Sequence, residues 1–271
     1  MQHDPHSVQV VGVVRFSVLT EDYYAETHGS VEAIGAHLFN DERLALRFRL
    51  FETLCLPSLV AQADQDFNVV VLTSTHLPPE ARERLDALIA PHDNITIFAA
   101  DPARHYQICK QAYASAFEEG YTHRLCFRLD DDDAVSRDYV ARCKRLAGPL
   151  LAIEPDAPTM IAFNRGFYVE VTGEGGNSVI DTVERAPLSV GLALLHPVSY
   201  GRNPYRYNHR AIAQHYTLYS DVSEPCFIRT IHSDNKSSPA KLGITGKMEP
   251  NKIESEIGTR FGFDIKTLRD I

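Results

Sequence analysis

Four short apolar runs recur through the first half of the chain at intervals that leave room for one helix between each pair, and this alternation constrains the fold most. The runs are VQVVGVV from Val8, FNVVVLT from Phe67 to Thr73, NITIFAA from Asn94, and HRLCFRL from His123 to Leu129. Most are apolar at nearly every position rather than every second one, the pattern of strands buried on both faces. Between them lie helical patterns. Asn40 or Asp41 is placed to cap a helix in which Leu44, Phe48, Phe51 and Cys55 recur at spacings of four, three and four, with Pro57 ending or kinking it. Pro78 and Pro79 open a second helix through Ile89, the segment from Ala103 to Glu119 forms a third that stops at Gly120, and Ser136 caps a fourth that continues to Gly148. Strand and helix alternating over short connections predict an α/β fold, a Rossmann-type, mostly parallel sheet flanked by helices.

The polar stretch from Thr20 to Asn40 reads as a long loop over that sheet. Further on the texture changes. MIAFNRGFYVEVT and NSVIDTVER flank GEGG and predict an antiparallel hairpin, LSVGLALLH another strand, NHRAIAQHY a short helix, CFIRTIHSD a last strand, and the tail from Pro250 a helix. These are read as antiparallel additions to the same sheet. With no repeat or linker in its 271 residues, the chain is expected to form one domain over 1–271.

Charge and cysteines narrow the setting. The 27 Lys and Arg against 36 Asp and Glu give a formal charge of −9, which argues against gripping a nucleic-acid backbone. Five widely spaced cysteines without a CxxC pair point to a reducing compartment. The opening MQHDPH carries no basic and apolar leader pattern, and no apolar run approaches the roughly 20 residues of a membrane span, so a soluble cytoplasmic protein is expected.

In parallel sheets ligands sit beyond the carboxyl ends of the strands. There the fourth apolar run leads straight into Asp130, Asp131, Asp132 and Asp133. A run of like charge is usually a solvated face. This one leaves a buried strand, where clustered carboxylates have raised pKa values unless a cation compensates them. Hard oxygen donors favour Mg²⁺ or Mn²⁺, whose remaining ligands are commonly water and substrate phosphates. Arg15 ends the first strand, where it either pairs with a surface acid or faces a ligand. Arg124 and Arg128, four apart on one strand face, can each offset the aspartates or form a structural ion pair. Cys126 reads as a small core residue. The tyrosine-rich SYGRNPYRYNH, from Ser199 to His209, either stacks on a sugar ring or packs as a loop. GEGG lacks a strand-loop-helix context and a Walker lysine, so it reads as a turn.

A strand ending in LDDDD after three βα units resembles the Asp-x-Asp motif of GT-A fold glycosyltransferases. Laid onto this chain, the motif puts its pair on Asp130 and Asp132, with Asp131 in the usual small-residue place and Asp133 following; Asp131 with Asp133 is the alternative register. RFSVL, LFETLCLPSLVAQADQDFNVVVL, RLDDDD and IHSDNKS together resemble a bacterial rhamnosyltransferase family over nearly the whole chain. The resemblance implies a metal-dependent transfer of a sugar, rhamnose by the family's name, from a nucleoside-diphosphate donor to a glycan or lipid-linked acceptor. It implies that Asp130, Asp132 and Asp133 form the catalytic centre. Mn²⁺ or Mg²⁺ would rest on Asp132 and Asp130, with His232 as a further ligand. Arg15, Phe16 and Ser17 would hold base and ribose, and Arg128, Asp130, Asp131 and Lys236 would complete the donor's site. Residues 8–148 become the nucleotide-binding half; residues 149–271 become the acceptor half and C-terminal helices. For an inverting reaction Asp181, Glu184 and His209 are available as general base, with no motif selecting one. Such an acceptor brings the enzyme transiently to the inner membrane face, although no basic amphipathic helix supports a stable anchor.

Two other readings use the same acids. Asp131, Asp133 and Val135 satisfy the DxDx(T/V) pattern of haloacid-dehalogenase-type phosphatases, in which the first aspartate is the nucleophile; in that family the motif sits near the N-terminus. The second is a module that binds metal or nucleotide without turnover. A sugar nucleotidyltransferase would carry a glycine-rich loop after the first strand, and RFSVLTEDYY has no glycine.

Overall fold

The computed structural model describes residues 6–172, 176–232 and 244–271. Four parallel strands form one side of its main sheet: β1 (Val8–Arg15), β2 (Asn68–Ser74), β3 (Ile95–Ala100) and β4 (His123–Asp130). Three strands continue it, β6 (Thr159–Phe163), β9 (Leu192–Pro197) and β10 (Thr217–Asp221), giving the order β10-β6-β9-β4-β1-β2-β3. Only β9 runs against the others. This is the mostly parallel α/β sheet expected from the alternation of apolar runs. Chain approach is tight where β1 crosses β4: a Cβ on Gly12 would lie 2.2 Å from the Phe127 ring, so only glycine fits there.

The helices are α1 (Ala25–His28), α2 (Val31–Leu38), α3 (Asp41–Leu50), α4 (Leu56–Val60), α5 (Pro79–Ile89), α6 (His105–Ser115), α7 (Tyr139–Ile153), α8 (Pro250–Arg260) and α9 (Ile265–Asp270). Burial explains their placement. Val10, Val14 and Leu125 face a core shared with α3, α5 and α7, while Val11, Val13 and Cys126 face a second core against α6. All five cysteines are buried and free, Cys126 among them as a core residue.

Several expectations are corrected. The stretch from Thr20 to Asn40 is no continuous loop: Ser30 Oγ accepts the Ala33 N–H at 3.2 Å and caps α2, whose Ile34 and Leu38 bury against Leu19. Asn40 does cap α3, accepting from Glu42 and Arg43, but Pro57 does not end the helical run. A π turn over Phe51–Cys55 joins α3 to α4 with helical backbone throughout, and this wider turn is where Pro57, which has no N–H to donate, is taken into the run. The third predicted helix stops at Ser115, because Gln9 takes over the chain beyond it, donating to the Ala116 carbonyl and accepting the Glu118 N–H. The fourth starts at Tyr139 rather than after Ser136 and runs through Pro149 to Ile153.

The second half builds more than additions to the first sheet. MIAFNRGFYVEVT divides at Asn164: its first part is β6, and its second part, β7 (Arg165–Glu170), pairs antiparallel with β8 (Ser178–Val183). Both belong to a second sheet of order β12-β8-β7-β11-β5, with β5 (Asp133–Val135), β11 (Phe227–Ile231) and β12 (Ile244–Thr245). Part of the expected hairpin turn, residues 173–175, lies outside the described residues. Helices α8 and α9 pack on this sheet through Ile253, Ile257, Phe261 and Leu268. NHRAIAQHY forms a single 3₁₀ stretch, His209–Gln214. Among the described residues no helix is long and apolar enough to cross a membrane.

Candidate active site

The four aspartates bridge the two sheets. Asp130 ends β4 in the first, Asp133 starts β5 in the second, and Asp131 and Asp132 make the turn between them. Each end of the run faces an arginine in register. Arg15 lies beside Asp130 on the parallel β1–β4 ladder, and Arg229 lies opposite Asp133 on the antiparallel β11–β5 ladder. Arg15 donates from Nε and Nη2 to Asp130 Oδ1 at 2.9 and 2.5 Å. The middle pair is met by a third arginine. Arg47, on the buried face of α3, donates Nε to Asp131 Oδ2 at 3.0 Å, pairs through Nη2 with Asp131 Oδ1, and donates Nη1 to Asp132 Oδ2 at 2.8 Å. His232, directly after β11, places Nε2 2.9 Å from the same Asp132 oxygen, and Thr230 Oγ1 donates to the Asp132 carbonyl at 2.8 Å.

These acids border a cavity of about 420 Å³. Its walls carry six arginines, Arg15, Arg43, Arg47, Arg128, Arg206 and Arg229, against the four aspartates. Ser17 also lines it in a left-handed backbone conformation, φ 47°, unusual for a residue with a side chain; its Oγ accepts from Arg43 Nη1 at 3.1 Å. On the other side the segment from Tyr205 to His209 closes the space. The Tyr205 ring receives the guanidinium groups of Arg15 and Arg128, centred 5.3 and 4.4 Å from it, and Tyr23 stacks on His105 beside Arg15.

Charge explains the ionisation of the cluster. Burial raises the pKa of Asp130, but Arg15 and Arg128 outweigh it and the group lies below its usual range. Burial also opposes ionisation of Asp132, and Arg47 with His232 overcomes it more strongly. Asp133 goes the other way: burial, then the charges of Asp132 and Asp130, push its pKa well up. One carboxylate oxygen from each of Asp130, Asp132 and Asp133 lies within 4.8 Å of the others. Three hard oxygen donors, one of them destabilised as an anion by its neighbours, fit a divalent ion such as Mg²⁺ or Mn²⁺.

Other residues marked from the sequence separate into those at the cavity and those away from it. Arg15, Ser17, Arg128, Asp130, Asp131, Asp132 and Asp133 all line it. Phe16 does not: its side chain is fully buried against Phe48 and Phe51, ring centroids 4.8 and 5.4 Å away, because the residue after β1 turns into the core. His232 contacts Asp132, one of the three acids of the oxygen group. Lys236 lies outside the described residues. Arg124, despite sharing a strand face with Arg128, sits over Phe117 and donates to the Val198 carbonyl, away from the aspartates. Of the three acceptor-side candidates only His209 lines the cavity; Glu184 accepts from Tyr168, and Asp181 accepts the Met248 N–H. The sequence reading passed over Arg47 and Arg229. Their signal was an arginine on an otherwise apolar face, three residues after Leu44 in one case and between Phe227 and Ile231 in the other.

The sequence profile described as "Putative rhamnosyl transferase" matches residues 9–244. The chain belongs to this rhamnosyl transferase family. Both oxygens of Asp131, the residue that the phosphatase reading needs as its nucleophile, are engaged by Arg47. None of the curated proteins compared matches the chain. Among solved structures, S. aureus TarS 1–349 in complex with UDP-GlcNAc is similar at 10% identity and TM-score 0.42, over 93% of this chain and 65% of that one. The rhamnosyl transferase family member therefore spans less than two thirds of that chain. TarS 1–349 without ligand gives 12% identity and TM-score 0.42, over 82% of this chain and 60% of that one. A structure described as a putative nucleotide-diphospho-sugar transferase, from Desulfovibrio desulfuricans G20, gives 9% and 0.33, over 83% and 81%.

Proposed function

We propose that this glycosyltransferase moves a sugar, rhamnose in keeping with the family's name, from a nucleoside-diphosphate donor to a hydroxyl of a glycan or lipid-linked acceptor, with a divalent ion, Mn²⁺ or Mg²⁺, at the diphosphate. The observation that carries the reading is the convergence of Asp130, Asp132 and Asp133 at the end of the parallel strands, in a cavity whose walls also carry six arginines. Those three acids would hold the ion, which when bound supplies positive charge to the departing diphosphate.

The chain's own groups serve the rest of the reaction. Arg128 and Arg229 present cationic groups to phosphate oxygens from opposite walls, and Lys236, marked by resemblance, is a further diphosphate contact. Arg15, Tyr23 and Tyr205 offer planar and cationic surfaces for a nucleoside. His232 and Thr230 fix the orientation of Asp132, so the carboxylate needs little rearrangement when the charge develops. On the acceptor side His209 is favoured over Asp181 and Glu184 because it lines the cavity. Burial, then Arg128, Arg210 and Arg229, lowers its pKa to about 3, so at neutral pH it is an uncharged imidazole able to accept a hydrogen bond from a hydroxyl. An anionic donor that neutralises Arg128 and Arg229 makes this imidazole a stronger base.

The test is transfer, or slow hydrolysis, of a panel of nucleotide sugars with Mn²⁺, Mg²⁺ or a chelator. Release of nucleoside diphosphate from one donor, abolished by chelation, is expected. Full turnover under chelation contradicts the metal reading. Tight nucleotide binding with no turnover on any donor would favour a module that binds without catalysis.

A further inference from the structure

We infer that Arg47 is a built-in competitor of the divalent ion at Asp132, so that the donor-free protein binds the ion more weakly than its carboxylates alone would. The inference rests on the metal reading above and concerns a residue to which that reading gives no part. Arg47 is buried on α3, and its guanidinium reaches both aspartates of the turn, with Nη1 also 3.3 Å from His232 Nε2. Nε and Nη2 hold both oxygens of Asp131, which lies outside the group of three metal-facing oxygens. That pairing alone satisfies Asp131. The remaining nitrogen, Nη1, reaches 2.8 Å to Asp132 Oδ2, an oxygen already 2.9 Å from His232 Nε2.

Asp132 belongs to the three-oxygen group, so a guanidinium already holds one oxygen of a carboxylate that the ion must use. A divalent ion binds a carboxylate oxygen at about 2 Å, close enough that a guanidinium left on either oxygen of the same carboxylate repels it. Either Nη1 leaves Asp132, or the ion accepts the guanidinium as a close positive neighbour. Both weaken ion binding. Asp131 satisfies the other edge of the guanidinium, so Arg47 is buried as a paired ion rather than as a lone charge.

The experiment measures Mn²⁺ binding without nucleotide, by electron paramagnetic resonance of the free ion, for wild type, D131N and the double variant R47Q/D131N. The double variant removes one positive and one negative charge, so the net charge is unchanged and no buried charge loses its only partner. Its Kd for Mn²⁺ is expected to fall about tenfold, the equivalent of one charge-assisted hydrogen bond, while D131N, which keeps Arg47 on Asp132, shows no gain. A Kd for the double variant unchanged within about threefold, or raised, overturns the inference, as does an equal gain in D131N. Absence of Mn²⁺ binding in all three, with circular dichroism showing them folded, overturns the metal reading along with it. Should the double variant fail to fold, R47K serves: a single ammonium cannot fork across two carboxylates, and the same direction of change is required of it.

Discussion

The two walls of the cavity are built by opposite strategies. The first wall is the carboxyl end of β1 and β4, elements paired along their whole length and buried on both faces, and it delivers Arg15, Arg128 and Asp130 as strand residues. The second wall is assembled from short pieces: β5 with three residues, the end of β11, and the irregular Tyr205–His209 segment. The long paired strands thus carry the first of the acids, while the other three lie in the turn and the short β5 that lead into the second wall. The difference teaches where mutations act. Damage to the first wall is expected to remove the reaction, and damage to the second to weaken the grip on substrate.

The largest effect is expected at the junction of the walls. Asp132→Asn should lower transfer about a hundred- to a thousandfold while circular dichroism stays native, since the charge that would hold the ion is lost but the side chain's shape is kept. If transfer survives, the acids at the junction are scaffolding rather than chemistry.

Next comes a pH effect on the frame. His196, on β9 next to the first wall, is buried, and that burial, helped by Arg124 and His123 and opposed by the bond to the Pro197 carbonyl, lowers its pKa to about 4. The unfolded chain takes up this proton near pH 6.5 and the folded one only near 4. Stability present above pH 6.5 is therefore lost as pH falls toward 4, by about 3 kcal/mol for this group. Urea melts of wild type and His196→Gln across pH 7 to 4 should show the smaller loss in the variant; parallel curves would remove His196 from the account.

On the second wall, Tyr205→Ala should raise the donor KM by about tenfold with a smaller change in kcat, because it removes the ring that Arg15 and Arg128 share. A fall in kcat alone would mean that the segment takes part in the chemical step. Smallest of all, Arg124→Ala should leave kcat/KM within about twofold and shift stability by no more than roughly 1 kcal/mol, since its partners are Phe117 and the Val198 carbonyl. Arg128→Ala, from the same strand face, serves as the contrast.

The first wall was legible because its chemistry follows from periodicity: apolar runs gave β1 to β4, and the end of β4 gave the aspartates. The second was not, for a physical reason. β5 is three residues that begin on the last acid of the run, and β11 holds its place by pairing with β7, about 60 positions earlier in sequence, so neither signals its partner locally. Arg47 was hidden in the same way. Its helix was recognised from Leu44, Phe48, Phe51 and Cys55, yet what gives an arginine on that face its meaning is the pair of aspartates 84 and 85 residues later. Phe16 shows the converse error, a residue adjacent to a site by number and turned from it by one peptide.

The most direct measurement is an anomalous difference map from crystals grown with Mn²⁺ and a nucleoside diphosphate. The account predicts one strong peak at coordination distance from Asp130, Asp132 and Asp133, with the diphosphate on its open side and Arg47 displaced from Asp132. A bound nucleotide with no peak there, and Arg47 still donating to Asp132, would contradict it.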